Sequence, residues 1–314
     1  MSWRPTSSID DLKSRAKYLA QIRAFFANRE YLEVETPFMA KNGVTDVHLA
    51  NIKAYFRNQA YYLQTSPEYH MKRLLAAGSG PIYQLARVFR DDECGRWHNP
   101  EFSLLEWYQL GVDHWYLIQE MQDLFQALGD VPDFVHLSYQ DAFLNACQFS
   151  PFHSEKQEIQ EVCQRFGFGD VLQPDESFDQ YLHLLMAMVV EPFLGCHYSQ
   201  PVVVYDFPAS QACLAQVSGE VAHRFEVYWR GVELANGFHE LTDVHLQTQR
   251  FAEDLKLRSE MGLSAMAIDE SFLAAMAFGL PECSGVALGL DRLFALFLNK
   301  ASIAEVMSFS FPHL

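Results

Sequence analysis

Apolar side chains near the start of the chain recur at steps of three or four residues, the spacing of one face of a helix. Ser8 precedes this run, and Asp11, three residues further on, completes a capping box at the start of the helix. We expect the helix to end near Asn28. Its apolar face consists of Leu12, Ala16, Leu19, Ile22 and Phe26.

Two aromatic and β-branched segments, 82–90 and 101–110, predict an antiparallel hairpin joined by the polar segment 91–100. Side chains two residues apart on a strand lie on the same face of the sheet. The second strand therefore aligns one set of side chains on one side: Phe102, Leu104, Glu106 and Tyr108.

Helical segments lie before and after this hairpin. Ser66-Pro67-Glu68 predicts the start of a short helix and Gly78 its end. Helical periodicity predicts a helical insertion at about 138–200, and Arg230-Gly231 predicts the turn of a second hairpin. Strands in hairpins predict an α+β fold, an antiparallel sheet flanked by helices, in a single domain over 1–314. The remaining predicted elements are strands 202–207, 224–228, 232–240 and 284–290, and helices 245–261, 269–278 and 291–298.

Composition and charge restrict the class of function. The 314 residues include 49% apolar side chains, enough for a large core, and the net charge of −17 repels phosphate backbones. The apolar runs are too short to span a membrane, and the first residues lack the apolar segment of a secretory signal. We therefore expect a globular, cytoplasmic protein whose default partner is not nucleic acid.

Cysteine and histidine spacing argues against a metal site built from local sequence. The six cysteines contain no Cys-x-x-Cys pair, and the 12 histidines contain no His-Glu-x-x-His or other close cluster. We expect the cysteines to be reduced and mostly buried, and the histidines to be ordinary surface or hydrogen-bonded residues.

Glu106 and Tyr108 form the first candidate pair for chemistry. On an inner face, a carboxylate beside a phenol would bind an ammonium group, because an ion pair in reduced dielectric is strong when both partners stay hydrogen-bonded. The alternative is an edge strand with Glu106 in water, and strand parity is compatible with both arrangements.

The second hairpin carries a dense set of acidic and polar side chains. A row of carboxylates on paired strands repels itself, so such a row indicates a divalent cation or a cationic substrate. The alternative is a set of solvated strand positions in an acidic protein. The residues are Glu226, Glu233, Asn236, Phe238 and Glu240.

Cationic side chains are scarce and stand at the ends of predicted elements. Arg90 ends one strand, Arg292 begins the last helix, and Arg96 and His98 lie in the first hairpin's loop. This placement suits binding of a polyphosphate and a carboxylate. Taken singly, each arginine is compatible with a surface salt bridge.

Together these segments resemble the three signature motifs of class II aminoacyl-tRNA synthetases. The first motif is matched by the N-terminal helix with 31–37, the second by 89–102, and the third by 285–292. Within the class, the match is to lysyl-tRNA synthetases, through Thr65-Ser66-Pro67-Glu68 and Asn236-Gly237-Phe238-His239-Glu240-Leu241. The resemblance extends from Leu12 to about Phe297.

The resemblance implies a reaction and its partners. The first motif lies almost at the first residue, so we expect no anticodon-binding domain. The sequence thus resembles a truncated branch of the family that activates (R)-β-lysine with ATP and ligates it to a lysine ε-amine of translation elongation factor P. This implies an AMP-forming ligase that uses ATP and Mg²⁺, has no tRNA partner, and forms a homodimer through the first motif.

Residue roles follow from the same resemblance. Arg90 and Arg292 would be catalytic, by stabilising charge as the adenylate forms. Glu233 would bind Mg²⁺, with Glu226 as its companion. The amino acid would be bound by Ser66, Glu68, Glu106, Tyr108, Asn236, Phe238, Glu240 and Ala287. ATP would be bound by Arg90, Asp91, Asp92, His98, Asn99, Phe102, Glu233, Leu234, Gly289 and Arg292.

Two positions depart from the family pattern. Asp92 stands where the second motif usually has Glu, so its contact to adenine would be one methylene short. Ala287 stands where lysyl-tRNA synthetases have Gly, and its methyl group should disfavour α-lysine by about 1–3 kcal/mol. Two alternatives stay open: a truncated lysyl-tRNA synthetase that charges tRNA, and a catalytically silent lysine-binding paralogue.

Overall fold

The computed structural model describes residues 3–91 and 94–313. The chain packs as two compact units. Unit 1 consists of the described residues within 1–112, 127–129 and 241–314, and unit 2 of residues 113–126 and 130–240. The expectation of a single domain over 1–314 stays a prediction.

The elements are named in chain order. The strands are β1 (Leu32–Glu33), β2 (Met39–Ala40), β3 (Lys53–Phe56), β4 (Gln59–Leu63), β5 (Ile82–Phe89), β6 (Glu101–Leu110), β7 (Val135–Ser138), β8 (Val202–Pro208), β9 (Val217–Ser218), β10 (Val221–Trp229), β11 (Val232–His239) and β12 (Cys283–Gly289). The α-helices are α1 (Ile9–Ala27), α2 (Glu68–Ala76), α3 (His114–Leu128), α4 (Tyr139–Cys147), α5 (Lys156–Arg165), α6 (Phe178–Leu185), α7 (Glu191–His197), α8 (Val244–Glu260), α9 (Glu270–Gly279) and α10 (Leu290–Phe297).

Unit 1 is built on strands in the order β1-β5-β6-β12, with a smaller sheet β2-β4-β3. β6 is antiparallel to both β5 and β12, while β1 is parallel to β5. Helix α1 covers one face, where the Phe26 ring stacks on Tyr83 at 4.6 Å and meets Trp107 edge-on at 5.4 Å between centroids. Because side chains alternate along a strand, Glu106 lies on the other face.

Local signals place several boundaries of unit 1 as predicted. The Ser8 hydroxyl accepts a hydrogen bond of 3.1 Å from the Asp11 amide at the start of α1. Helix α2 begins one residue later than predicted, with Pro67 rather than Ser66 as its N-cap. Gly78 follows α2 with a left-handed φ of 88°, the conformation that ends a helix and suits glycine. The hairpin of β5 and β6 is confirmed.

Unit 2 contains strands in the order β11-β10-β8-β7, with β9 beside β10. Arg230 and Gly231 both have positive φ, 53° and 74°, which is the backbone of the tight turn that joins twisted strands. Helices α4, α5 and α6 lie within 138–200, the segment for which the sequence predicts a helical insertion. They enclose a core that includes Tyr139, Phe143 and Leu182.

Three findings of the structure can be compared with the sequence analysis. No element was assigned to 39–63 or 111–137, where the structure has β2 to β4, α3 and the start of β7. The expectation of mostly buried cysteines is wrong for Cys94, Cys196 and Cys213, which are exposed. Among the described residues, no helix has the length and apolar character needed to cross a membrane.

Candidate active site

The uncovered face of the unit 1 sheet places Glu106 between two uncharged strand neighbours. Glu106 lies opposite Gln84 on β5 and Ala287 on β12. Tyr108 donates a hydrogen bond of 2.8 Å to the Glu106 carboxylate, and both residues are only 2% exposed. Because β6 is paired on both sides and Glu106 is buried, the edge-strand alternative is wrong.

Gln84 is a residue of this face that the sequence analysis missed. It is 2% exposed, and its Oε1 atom has no hydrogen-bond partner among the described residues. A buried acceptor without a donor is costly, and a ligand that brings N–H groups would satisfy it. The alternation of side chains along β5 places Gln84 on one face with Ala86 and Val88, and the strand register then places it opposite Glu106.

Toward the other end of the same face, the lining becomes apolar and ends at a cation. Ala86, Val88 and Leu104 form a buried cluster against which Phe102 and Ala287 pack. The guanidinium carbon of Arg90 lies 5.1 Å from the centre of the Phe102 ring, a cation–π contact.

Arg292 is held against the loop between β5 and β6. Its Nε donates to the Trp97 carbonyl at 3.0 Å, and a terminal nitrogen lies 2.8 Å from Nε2 of His98. A guanidinium group has only donors, so Nε2 of His98 must accept, and the imidazole is neutral in this contact. His98 and Asp91 are exposed, whereas the predicted Asp92 contact lies outside the described residues.

Asp291, next to Arg292, anchors the start of α10. One carboxylate oxygen pairs with Arg15 at 2.6 Å, and the other accepts the backbone N–H of Ser103 at 2.7 Å. Asp291 is 2% exposed. This buried anchor ties α10 to β6 and fixes the first turn from which Arg292 extends. Gly289 is the N-cap of the same helix.

Asn99 lies in this loop, and both ends of its side-chain amide are hydrogen-bonded to the backbone. Its Nδ2 donates to the Glu101 carbonyl at 2.6 Å, and its Oδ1 accepts the backbone N–H of Phe311 at 2.9 Å. Both ends of the amide are therefore occupied by the chain, which disfavours Asn99 as a direct nucleotide contact.

At the start of α2, Glu68 pairs with a lysine that the sequence analysis missed. Lys72 Nζ lies 2.6 Å from Glu68 Oε1, and the two side chains are 1% and 18% exposed. The Ser66 hydroxyl accepts the Glu68 backbone N–H at 3.3 Å. Glutamate four residues before lysine is a known helix pair, so the spacing could have revealed it. Lys72 competes with an incoming amine for Glu68.

In unit 2, Glu226 is hydrogen-bonded to two neighbours on its own strand. Arg224 and Tyr228 each donate to one oxygen of the Glu226 carboxylate, which is 7% exposed. Arg224 also donates to Oδ1 of Asn236 at 3.2 Å. Burial, with Glu226 nearby, raises the pKa of Tyr228 well above its ordinary value, so the phenol stays a donor. Each oxygen keeps a second lone pair for a metal ion, although the Arg224 cation neutralises part of the Glu226 charge.

The other predicted residues of unit 2 lie on β11 and just after it. Glu233 is half-buried, Leu234 is buried, and Phe238 packs against an alanine cluster. Glu240 is 1% exposed, and its backbone forms an isolated bridge with Ala215. The alternative of solvated strand positions is therefore wrong for Glu226 and Glu240.

Comparison with known proteins decides the family. The sequence matches the tRNA synthetases of class II (D, K and N) over residues 1–313. The chain belongs to this family. Class II synthetase membership implies that the protein is an enzyme that uses ATP, and it agrees with the α+β fold and its mostly antiparallel strands.

Three near-full-length relatives of this chain share one name. The elongation factor P–(R)-β-lysine ligase of Vibrio cholerae is 49% identical over 319 residues, covering 99% of this chain and 98% of the relative. The enzymes of that name from Photorhabdus laumondii and Edwardsiella ictaluri are 48% and 49% identical over 318 residues, each covering 98% of this chain and 97% of the relative.

Proposed function

We propose that this protein activates (R)-β-lysine with ATP and ligates it to a lysine ε-amine of translation elongation factor P. The main support is the 48–49% sequence identity to three relatives named for that reaction, over nearly the full length of this chain and of each relative. The buried Glu106–Tyr108 pair and the acceptor of Gln84 support an amine-bearing substrate.

The reaction has two steps that balance without an enzyme nucleophile. In the first, the carboxylate of β-lysine attacks the α-phosphorus of ATP, the aminoacyl adenylate forms, and pyrophosphate leaves. In the second, the neutral ε-amine of the acceptor lysine attacks the acyl carbon, an amide forms, and AMP leaves with one proton released. Positioning and charge stabilisation are sufficient for both steps.

Arg90 and Arg292 supply the positive charge. Arg90 follows β5 on the face that carries Phe102, where adenine would stack on the phenyl ring and the guanidinium would contact the carboxylate and the α-phosphate. Arg292, fixed by the buried Asp291 anchor, would contact the terminal phosphates together with His98. Gly289 and Leu234 would contact the nucleotide through the backbone.

Glu106 would bind the distal ammonium of the substrate. Its carboxylate, the Tyr108 oxygen and Oε1 of Gln84 offer acceptors at one position of the sheet face, and an ammonium group has three N–H donors to satisfy them. Ala287 lies opposite Glu106, so its methyl group borders the same space. The family resemblance adds Ser66, Glu68, Asn236, Phe238 and Glu240 as further proposed contacts.

A magnesium ion would supply charge neutralisation for the phosphates. Carboxylate oxygens are the protein ligands that Mg²⁺ prefers, and Glu233, half-buried on β11, fits that chemistry. Glu226 is the second candidate, because the Arg224 cation beside it already neutralises part of its charge. We therefore propose Glu233 as the ligand and Glu226 as its companion.

The remaining proposals concern partners and location. An acidic chain of net charge −17 suits a basic acceptor surface better than tRNA. We expect a homodimer from the resemblance to the first class II motif, and we expect the reaction to take place in the cytoplasm, where a translation factor works.

Pyrophosphate exchange and acceptor labelling test the proposed function. Labelled pyrophosphate should enter ATP in the presence of (R)-β-lysine, and label from the amino acid should then pass to elongation factor P. Label in tRNA alone would replace the proposal with a truncated lysyl-tRNA synthetase. Exchange with no lysine isomer would identify a silent paralogue.

Arg90→Ala should abolish exchange while leaving the fold intact, because the variant removes the charge that stabilises the pentacoordinate phosphorus. Arg87→Ala is the matched control, since Arg87 lies on β5 three residues before Arg90, its side chain is 45% exposed, and it pairs with Glu101 only at 3.7 Å. Near-normal exchange by Arg90→Ala would refute its assignment.

A further inference from the structure

The geometry points to a transition-metal site in unit 2, formed by His114, Asp206 and His223. One ligand atom from each of the three side chains lies within 4.8 Å of the other two. His114 is buried, whereas Asp206 and His223 are half-buried, so the cluster has access to solvent on one side. None of the three belongs to the proposed catalytic machinery.

A bulge between β8 and β10 brings Asp206 and His223 together. Ala222 pairs with Phe207 and Phe225 pairs with Tyr205, so two residues of β10 stand opposite one residue of β8. The single residue is Asp206, which has a left-handed φ of 58°. Such bulges re-aim side chains next to functional sites, and a non-glycine residue in this conformation is uncommon.

His114 provides an independent observation. It is the first residue of α3 and is only 3% exposed. Among the described residues, neither of its ring nitrogens has a hydrogen-bond partner. A buried imidazole without partners loses its hydration without compensation, and a metal ion bound to one nitrogen would remove that cost.

The donor set selects the class of metal. Two imidazole nitrogens with one carboxylate oxygen form a three-ligand zinc set that leaves a fourth position for water or another ligand. Mg²⁺ and Ca²⁺ prefer all-oxygen sites, so they compete poorly here. Tetrahedral bonds of about 2.0–2.1 Å place ligand atoms about 3.3 Å apart, which requires only small side-chain adjustments from the present arrangement.

A second contact orients one of these ligands. The Ser218 hydroxyl oxygen lies 2.8 Å from Nε2 of His223, and the ring centroids of His114 and His223 are 5.3 Å apart. Hydrogen bonds of this kind fix the tautomer and the ring orientation of a metal-binding histidine. The sequence contains no sign of the site, because its members are 92 and 17 residues apart.

Metal titration of the full-length, tag-free protein tests the site. After chelator treatment and dialysis, the protein would be equilibrated with Zn²⁺ or Co²⁺ in excess Mg²⁺, and bound metal measured by mass spectrometry. We expect one equivalent per chain, with the visible bands of low-coordinate Co²⁺. Asp206→Asn and His223→Gln should each weaken binding by more than about a hundredfold, because each removes a direct ligand.

His136→Gln is the matched control, because His136 lies on β7 of the same unit, stacked on Trp115 and outside the cluster. It should bind metal like the wild type. Thermal unfolding provides a second measurement, in which Zn²⁺ should raise the melting temperature of wild type and His136→Gln but not of Asp206→Asn. Failure of the wild type to bind, or equal binding by the ligand variants, would overturn the site.

Discussion

Two strands of this protein carry the same pattern, a glutamate followed two residues later by a tyrosine. The pair is Glu106 and Tyr108 on β6 of unit 1, and Glu226 and Tyr228 on β10 of unit 2. In both pairs the phenol donates to the carboxylate, and the two glutamates are 2% and 7% exposed. Their environments nevertheless differ in charge.

The difference lies two residues earlier on each strand. Arg224 precedes Glu226 on the same face and forms an ion pair with it, whereas the corresponding position before Glu106 is Leu104. The cross-strand neighbours of Glu106, Gln84 and Ala287, are also uncharged. A buried carboxylate is stable when a cation lies beside it, and for Glu226 its own strand supplies that cation.

The largest effect should come from breaking the internal pair of β10. Arg224→Ala should lower the free energy of unfolding by about 3–5 kcal/mol, because the Glu226 charge stays buried without its partner. Urea denaturation would measure this loss. Lys256→Ala is the control, since Lys256 is 79% exposed in its pair with Glu260, and it should cost about 0–1 kcal/mol. A loss below that of the control would show that the pair has no stabilising role.

Replacing each glutamate by glutamine, which has the same shape without the charge, should show that the two residues differ in function. Glu106→Gln should reduce kcat/KM for (R)-β-lysine-dependent exchange by about a hundredfold, equivalent to about 2.7 kcal/mol, while stability changes little. Glu226→Gln should lower stability and reduce exchange by about tenfold or less, because Arg224 already neutralises part of its charge. Equal losses of exchange in both variants would contradict the separation.

Substitution of each tyrosine should affect the same property as substitution of its glutamate, exchange for Tyr108 and stability for Tyr228, but by a smaller amount. Tyr108→Phe should reduce exchange by about tenfold, because the Glu106 carboxylate loses a hydrogen bond that holds it in place. Tyr228→Phe should instead lower the free energy of unfolding by about 1–3 kcal/mol, because it leaves one oxygen of a buried carboxylate unsatisfied. If both variants changed only stability, the Glu106 pair would be structural as well.

The smallest effect concerns selectivity between lysine isomers. Ala287→Gly should improve use of α-lysine relative to (R)-β-lysine by about tenfold, because it removes a methyl group opposite Glu106. Ala86→Gly removes a methyl group from the same face, opposite Leu104, and should leave the ratio unchanged. Competition between the two isomers in the exchange assay measures the ratio directly. An unchanged ratio in Ala287→Gly would remove that residue from the selectivity argument.

The parity of β6 was sufficient to predict that Phe102, Leu104, Glu106 and Tyr108 share a face, because side-chain direction alternates locally along any strand. The same rule, applied to β10, places Arg224, Glu226 and Tyr228 on one face and shows that a cation lies beside the proposed metal ligand Glu226.

Other features depended on contacts between distant parts of the chain. Asn99 holds the backbone of Phe311, 212 residues away, and no local pattern indicates that its amide is occupied. Asp291 is likewise tied to Arg15, 276 residues before it. Such partners are chosen by packing, which a single sequence does not display.

By itself, the sequence determined the start of α1, the end of α2, the Arg230-Gly231 turn, which side chains of β6 share a face, and the family motifs, because these depend on backbone preferences and spacing over a few residues. Only the tertiary structure decided which carboxylates are neutralised and where His114 meets Asp206 and His223. The bulge between β8 and β10 and the start of α3 bring these three residues together. Local periodicity in the sequence shows neither which side chains lie close together nor which are buried.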